Sequence, residues 1–493
     1  MPCRSVNRSG PESMRTPLSA VFFGIVAFAV GLVGVAAAQS GPTREASTFM
    51  GTASGRPVPE VIEEYVRAGI ASNLALQSAT LQVERGQAAL DAARGKFFPE
   101  ASIGTRYTRA EGGREITLPI GSALNPVYLT LNELLISDGK APRFGTIEDP
   151  RFLLQREEEQ ETRLSIRQPL YVPAIPAAVR ARRSLLEASE FARLALVGRL
   201  RRDITVGYVD WLRASRGASL IEASRSLLAE NLRINESLFR NGKITQDQVL
   251  RAQAELLAVE QQLTEARNLR DQSASYVNFL LNRPLDSTLE LADVSGEISR
   301  TVADLSVLRE AAVTRRAEYA QLDRAVRAAS AQVDAAKAAR KPSIALGLDG
   351  GSQGEEYEFG RGRNFATVSL LLNWTLFDGG SRRAEVRQAR IAQRQAELQR
   401  EQAGQQIRLE VQQALDRLQA SEASLRTAEA RAEAARAAFR IAGRKRDEGV
   451  ISQVEFLDSR TTLTAAELNL NAVRFELLAR QAELDYSTGA TLP

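Results

Sequence analysis

Residues 163–182, RLSIRQPLYVPAIPAAVRAR, decide the fold because they pass from an alternating strand into a long helical segment. A similar passage recurs in residues 368–387, VSLLLNWTLFDGGSRRAEVR, where Leu376 lies 206 residues after Leu170 (376 − 170). A second pair of landmarks, Gly242 and Gly449, gives a spacing of 207 (449 − 242). Each copy predicts a short helix, a strand, a loop, a second strand and a very long polar helical stretch broken once at a glycine. A duplicated unit of this kind indicates a tube rather than a pocket.

Four short segments alternate between apolar and polar residues, as strands do. In the second copy they are residues 343–349 and 366–376, and in the first copy the pattern runs around Ile103 and around Leu164. Strands of about 9 to 11 residues with aromatic ends suit a barrel across an outer membrane, with apolar side chains outward and polar ones toward a lumen. A half-buried soluble sheet alternates in the same way, so the pattern alone leaves both structures open.

The number of strands has a consequence for assembly. Four strands cannot close a membrane barrel with a usable lumen, and lipid does not tolerate open sheet edges. If the strands span a bilayer, several copies must share one barrel, and a trimer is the smallest ring. In that ring, four β-strands per protomer would contribute to a shared trimeric 12-stranded barrel. The loops 110–160 and 350–364 would face outside, and the first is long enough for a short helix or a lid.

Four long polar segments predict the helices. Residues 176–241, 246–281, 381–445 and 452–486 are rich in Ala, Leu, Arg and Glu, and the first carries a narrow apolar stripe at helical spacing. Such a stripe buries too little by itself, so these helices must pack on each other and on other copies. An ordinary helical bundle or a coiled-coil spacer would explain the helices alone, but not the strands between them.

The N-terminus has the layout of a secretory signal peptide. Arginines precede an apolar run from Leu18 to Val35, and Ala36–Ala38 suit a cleavage site, which predicts a signal peptide over residues 1–38. An uncleaved anchor helix is the alternative, and Met14 is an alternative start to Met1. Residues 39–58 read as a flexible mature N-terminus, and no run of roughly 18 apolar residues recurs after them. Any membrane crossing by the mature chain must therefore use strands.

Composition excludes several classes of function. The chain has no histidine, which removes histidine-dependent enzymes and the commonest zinc ligand, and its one cysteine, Cys3, precedes the apolar run. Removing the signal region, with three arginines against Glu12, lowers the formal net charge from +4 to +2. Acidic and basic residues are mixed, so no nucleic-acid partner is expected. No constellation of residues recommends a catalytic, cofactor or metal site.

Several short motifs recur in the same order along the two copies. Each is a weak signal by itself. They are Phe97-Phe98-Pro99, Lys341-Pro342, Trp374-Thr-Leu-Phe-Asp-Gly-Gly, the run from Gly449 to Asp458, Leu281-Asn-Arg-Pro-Leu and Tyr486-Ser-Thr-Gly. Through them, residues 59–489 resemble the TolC family of outer-membrane efflux channels. The resemblance implies an α+β membrane protein that forms a homotrimer in the cell outer membrane. Its four β-strands per protomer contribute to a shared trimeric 12-stranded barrel, and its duplicated long α-helical hairpins form a periplasmic tunnel continuous with that barrel.

The same resemblance implies partners and a transport function. Such a channel docks on a periplasmic adaptor (membrane fusion) protein and an inner-membrane transporter, contacts outer-membrane lipid, and serves efflux or type I secretion as a passive exit duct. It catalyses no reaction and needs no cofactor. The substrate class, whether drug, metal ion or protein, is not determined by the sequence. The alternative is a non-channel periplasmic coiled-coil adaptor, which does not explain two strand pairs placed alike in both copies.

The resemblance also places a gate at the second glycine break. Two acidic residues that line the family's periplasmic constriction correspond to Glu455 and Asp458, which lie three residues apart and hence on one helix face. A trimer would bring six carboxylates together, which would attract cations and repel one another. A solvated helix face is the alternative. The corresponding residues of the first copy are Gln248 and Arg251, so the acidic pair belongs to one repeat.

The sequence departs from the family's best-known latch, because the gating tyrosine aligns with Arg446 and the gating arginine with Ile451. The candidate gate contacts are instead Asp247, Arg446 and Asp447, with Arg444 and Lys445 as further cations.

The turns at both breaks are the predicted adaptor-docking tips, although both glycines equally suit plain helix caps. The tip residues are Gly242, Lys243, Gly449 and Val450. The predicted organisation is a first repeat at 59–285, a linker at 286–301, a second repeat at 302–489 and a tail at 490–493.

Overall fold

The computed structural model describes residues 53–154, 156–293, 304–356, 358 and 360–490. The predicted signal peptide (1–38), residues 39–52 of the predicted flexible segment, residues 294–301 of the predicted linker and the last three residues lie outside this part.

Long helices and short strands alternate along the described chain. The strands are β1 (Ala53–Pro57), β2 (Glu100–Arg109), β3 (Glu115–Thr117), β4 (Arg151–Leu153), β5 (Glu158–Tyr171), β6 (Leu291–Asp293), β7 (Ser343–Gly354) and β8 (Asn364–Asn373). The helices are α1 (Val58–Ser72), α2 (Leu74–Gly95), α3 (Ile120–Ser137), α4 (Ala174–Arg240), α5 (Gln246–Leu280), α6 (Leu305–Arg315), α7 (Ala317–Ala338), α8 (Ser381–Asp447) and α9 (Gln453–Ser487).

The duplication predicted from the sequence is present in the helices. α4 and α8 have 67 residues each, and α5 and α9 have 35 each. Both pairs begin 207 residues apart (381 − 174 and 453 − 246). At a rise of about 1.5 Å per residue, each of the two longest helices is about 100 Å long. The predicted bounds of the four long helices differ from these by no more than two residues, within the usual uncertainty at helix ends.

The strands of the two repeats join in one antiparallel sheet of four strands, in the order β2-β5-β7-β8. Ile103 lies opposite Leu164, and Leu348 lies between Ile166 and Val368. Because side chains alternate along a strand, this register collects apolar residues on one face of the sheet. The β5–β7 contact joins the first repeat to the second.

The last predicted strand is shorter than expected. It was predicted through Leu376, whereas β8 ends at Asn373. The indole Nε1 of the next residue, Trp374, donates a 3.2 Å hydrogen bond to the Arg340 carbonyl, at the end of the helix that leads into β7. That contact ties the end of β8 to the start of the helical region.

The long helices pack through narrow seams that contain many small residues. α4 contacts α2, α5, α7 and α9, while α8 contacts α7 and α9. In the α8–α9 seam, Ala432 and Ala435 pack against Leu463 and Ala466. Small side chains let the two helices approach closely over a great length. Among the helices that the structure describes, none combines the length and apolar character needed to cross a bilayer.

The largest apolar core lies where α1, α4 and α5 meet the parallel β1–β6 pair. The rings of Tyr65 and Tyr208 are 5.3 Å apart between centroids, and the Tyr208 hydroxyl donates a 2.7 Å hydrogen bond to the Glu290 carbonyl. The Glu290 N–H in turn donates to the Tyr65 hydroxyl at 2.9 Å. The pKa of Tyr208 is raised, chiefly because its side chain is buried. These bonds anchor the segment after the first repeat to its helices.

Candidate functional site

Both long hairpins turn at a glycine with the same geometry. Gly242 has φ 65° and Gly449 has φ 73°, in the left-handed region that favours glycine. The Gly242 N–H donates to the Phe239 carbonyl at 2.9 Å, and the Lys243 N–H donates to the Leu238 carbonyl at 2.9 Å. Gly449 and Val450 repeat the pattern, with bonds of 2.9 Å and 2.8 Å to the carbonyls of Arg446 and Lys445. Both glycines are therefore Schellman C-caps, which end α4 and α8.

The turns leave the predicted tip residues open to solvent. Gly242, Lys243, Gly449 and Val450 are all exposed. A Cβ built on either glycine would meet no other atom within 4 Å. The glycines are therefore required by backbone conformation rather than by close packing within this chain.

Glu455 belongs to a capping box at the start of α9. Its N–H donates to Ser452 Oγ at 3.3 Å, and its Oε2 accepts from the Ser452 N–H at 3.2 Å. The carboxylate also lies at the positive end of the helix dipole, where a negative charge is stabilised. The predicted gate residue thus has a local structural role. Asp458 follows three residues later, and both side chains are exposed in the single chain.

Arg446 contacts one of its two predicted acidic partners. Its Nη2 lies 2.7 Å from Asp447 Oδ1, and its guanidinium lies 4.1 Å from the centroid of the Phe456 ring. Phe456 is buried and stacks on Phe439, at 5.4 Å between centroids. Asp247 instead accepts a hydrogen bond from the hydroxyl of Thr245. Arg446 therefore makes these contacts within the α8–α9 hairpin, whereas Asp247 makes its contact at the start of α5.

A contact near the tips joins the two hairpins and was not predicted. Gln453 Nε2, at the start of α9, donates a 2.6 Å hydrogen bond to Asn231 Oδ1 on α4. Asn231 and Asn235 are buried, and they continue the seam of Ile221, Ser224 and Leu228 at spacings of three and four residues. Asparagine at core positions of a coiled-coil seam is the sequence signal that would have indicated a specific polar contact.

A second polar cluster lies at the other end of α9. The Arg316 side chain is only 7% exposed and forms ion pairs with Glu318 at 3.0 Å and Glu410 at 2.9 Å. The Tyr486 hydroxyl donates to Glu318 at 2.9 Å, and the Tyr486 ring stacks against both Arg316 and Arg202. Burial raises the pKa of Tyr486 to about 12, with the Glu318 charge as the next cause. The cluster ties the end of α9 to α4, α7 and α8.

The sequence of residues 308–490 matches the outer membrane efflux protein family. Over 437 residues the chain is 23% identical to Nodulation protein T of Rhizobium leguminosarum bv. trifolii, which covers 87% of this chain and 85% of that relative.

Solved outer-membrane channels share the fold. The CmeC channel of Campylobacter jejuni superposes with a TM-score of 0.72 at 16% identity, covering 90% of this chain and 89% of that one. The open state of the MtrE channel of Neisseria gonorrhoeae gives a TM-score of 0.69 at 18% identity, covering 87% and 89%. The likeness extends over both repeats, so these channels share the duplicated hairpins and the four-stranded sheet of this chain.

Proposed function

We propose that this chain, which carries an outer membrane efflux protein domain and has the fold of TolC-family channels, is the outer-membrane exit duct of a tripartite export system. It conducts substrates passively from a periplasmic adaptor and an inner-membrane transporter to the exterior. The observation that carries the proposal is the four-stranded sheet, whose apolar face is uncovered and whose two edges are free to pair with other copies.

The uncovered face of the sheet favours a membrane barrel over a soluble sheet. Ile103, Val368 and Leu370 are exposed to 74%, 73% and 70%. A soluble sheet would cover such a face, because a large apolar patch in water is costly. Hydrocarbon removes that cost, as it does for the outer face of outer-membrane barrels. The exposed face therefore supports contact with lipid.

The edges of the sheet support a ring of identical copies. β2 and β8 are the edge strands of the described sheet, and successive antiparallel pairings make them run in opposite directions. The β8 strand of one copy can therefore pair with β2 of the next and continue the antiparallel order. Three copies give a closed barrel of twelve strands with cyclic symmetry, in which no edge meets lipid. We therefore propose a homotrimer, the smallest such ring.

Exposed aromatic residues mark one boundary of the proposed membrane region. They lie at the end of the sheet from which the helices begin and are Phe97, Phe98, Tyr171, Trp374 and Phe377. Aromatic side chains favour the interface between lipid and water. This belt would lie at the periplasmic surface of the outer membrane. The helical hairpins would then extend through the periplasm for about 100 Å.

The tips of the hairpins are the proposed adaptor-docking surface. Gly242, Lys243, Gly449 and Val450 form exposed turns of matching geometry, and the duplication presents two such turns per chain. We propose no catalytic step and no cofactor for the duct. A non-channel adaptor is the weaker proposal, because it leaves the exposed face of the sheet without a role.

Glu455 and Asp458 are the proposed acidic ring at the periplasmic constriction. Both are exposed on the first turns of α9, beside the tip that Gly449 caps. A narrow ring of six carboxylates would favour cations and hinder anions. We further propose that the Asn231–Gln453 hydrogen bond, together with the Arg446 stack on Phe456, holds the tips closed in place of the family latch.

Reconstitution of the mature protein in planar lipid bilayers tests the function. Discrete conductance steps from a preparation that runs as a trimer are the expected result. A protein that remains soluble without detergent and gives no conductance would favour the periplasmic coiled-coil alternative.

A further inference from the structure

The segment between β2 and β5 carries a helix with no counterpart in the second repeat. Residues 110–157 include α3 and the short β3–β4 pair, whereas only residues 355–363 separate β7 from β8. The two β-hairpins therefore have very different loops at the same end of the sheet. α3 has 18 residues, far more than the connection between β2 and β5 requires.

One face of α3 is held by the segment that follows it, residues 143–149, which is called the return segment below. The Asn125 side chain donates to the Ile147 carbonyl and accepts from the Ile147 N–H, both at 2.9 Å. About two turns further on this face, Asn132 makes the same pair of bonds with Phe144, at 2.7 and 3.1 Å. The Tyr128 ring stacks on Phe144 at 5.0 Å between centroids. α3 and its return segment therefore form one unit, joined through Asn125 and Asn132.

About 120° around α3 from this face lies an exposed apolar seam. Its residues are Ile120, Leu124, Val127, Leu131 and Leu134, and their exposure ranges from 37% to 60%. They follow one another at spacings of four, three, four and three residues, which is the spacing of a coiled-coil seam over two heptads. Leu131 and Leu134 line a shallow pocket with Arg143 and Phe144 of the return segment, and all five side chains remain exposed. The term α3 seam is used below for these five residues.

We infer that the α3 seam binds the same seam of the other copies in the trimer, so that three α3 helices form an apolar cap over the outer mouth of the duct. The inference rests on the proposed function. Because β2 is an edge strand and would pair with β8 of the next copy, the trimer brings three identical loops to the same end of one ring. Heptad spacing fits a second helix, which supplies the holes for these side chains.

A lipid surface fits the seam less well. Helices that lie in the membrane interface carry Lys and Arg on their polar side. α3 has neither, and its only charged residue is Glu133. Its two asparagine side chains are, moreover, bonded to the return segment. The near absence of charge also means that three copies can approach with little repulsion.

Cysteine cross-linking in the trimer tests this packing. The only natural cysteine is Cys3, within the predicted signal peptide, so Val127→Cys and Leu131→Cys each give a mature chain with one thiol. Leu129→Cys is the matched control, because Leu129 is 59% exposed but lies about 180° from the seam on the same helix. Mild oxidation should link up to two of the three chains of each trimer in the seam variants, and few in the control. It should also lower conductance in the seam variants, and a reductant should restore it.

The outcomes separate this inference from the proposed function. If the seam variants form channels with normal conductance but cross-link no more than Leu129→Cys, the proposed cap is wrong and the proposed duct is unaffected. Ready labelling of the seam thiols by a water-soluble maleimide without cross-linking would have the same meaning. A wild-type protein that forms neither trimers nor channels would overturn both. As a second measurement, Val127→Glu/Leu131→Glu should raise the conductance relative to Leu129→Glu, because six carboxylates would drive the helices apart.

Discussion

Gln453 at the start of α9 donates a 2.6 Å hydrogen bond to Asn231, a buried residue of α4 that lies 222 positions earlier in the chain. The bond joins the hairpin of the first repeat to that of the second, close to the tips of both. Asn231 also has a buried amide nitrogen without a hydrogen-bond partner among the described residues. A leucine at this core position would stabilise the seam more, so the asparagine provides a specific polar contact at a cost in stability.

Asn231→Ala should shift the duct toward its open state. Loss of one such bond should destabilise the closed state by about 1 kcal/mol, which lowers the ratio of closed to open channels roughly fivefold. Single-channel recording measures the open fraction. Asn471→Ala is the matched control, because Asn471 also joins α9 to α4, through a 2.9 Å bond to the Arg213 carbonyl, but far from the tips. An equal effect of both variants would show that general loosening of α4 and α9, and not a latch at the tips, sets the open fraction.

Glu455→Gln/Asp458→Asn should reduce cation selectivity several-fold and weaken block by Mg²⁺, with little change in stability. Glutamine keeps the acceptor that the capping box requires, so the variant removes charge without removing the cap. Reversal potentials in asymmetric salt measure selectivity. Glu448→Gln, which neutralises another exposed carboxylate at the same tip, is the control and should leave selectivity unchanged. If the control changes selectivity as much as the double variant, the ring is not at these positions.

Arg446→Ala should alter gating more than Asp447→Ala. The half-buried guanidinium stacks on Phe456, a contact worth about 0.5–2 kcal/mol depending on solvent exclusion. The ion pair with Asp447 is weaker, because the Asp447 side chain is 67% exposed and such pairs contribute about 0–1 kcal/mol. Arg446→Lys tests whether charge alone suffices. Conductance and open fraction like those of the wild type in both alanine variants would remove this hairpin contact from the proposed gate.

The Arg316 cluster should make the fold sensitive to acid. Burial acts to raise the pKa of Glu318, but the hydrogen bond and charge of Arg316 outweigh it, and the pKa falls below the ordinary value of 4.5. The carboxylate is therefore stabilising above pH 4.5, and its contribution is lost as the pH falls through the lower pKa of the folded state. Thermal unfolding midpoints between about pH 3 and 7 measure this. Glu318→Gln should lower the midpoint at pH 7 and flatten its decline in acid, whereas an unchanged acid slope would assign the sensitivity to other groups.

Arg316→Ala should be the most damaging change in that cluster. It leaves Glu318 and Glu410 without their common cation and removes a stacking partner of Tyr486. Removal of one partner from a buried ion pair costs about 3–5 kcal/mol, and the partial exposure of Glu410 reduces this to roughly 2–4 kcal/mol. The midpoint of denaturant unfolding measures the loss. A loss below about 1 kcal/mol would mean that solvent already screens the cluster.

The sequence predicts those parts of the structure that follow from periodicity within a short segment. Repeated spacing located both glycine turns and all four strands of the sheet, and helical spacing located the four long helices. Residues 110–160 were expected to hold a short helix or a lid, and α3 lies there. What sequence reasoning missed depends on which segments meet in space. Asn231 and Gln453 face each other only because α4 packs on α9, and the pairing of β1 with β6 joins residues more than two hundred positions apart.

A last pair of variants separates a lipid-facing sheet from a soluble one. Leu370 and Ser369 are neighbours on β8, and alternation places them on opposite faces. Leu370→Arg should cost about 2–4 kcal/mol if its face meets hydrocarbon, and the yield of trimer in the outer-membrane fraction should fall sharply. Ser369→Arg should assemble normally, because its face would line an aqueous lumen, and should instead change ion selectivity. A soluble sheet whose apolar face packs on another protein would also reject Leu370→Arg, but its Ser369→Arg variant would leave ion selectivity unaffected. The combination of failed assembly in one variant and altered selectivity in its neighbour is therefore specific to a membrane barrel.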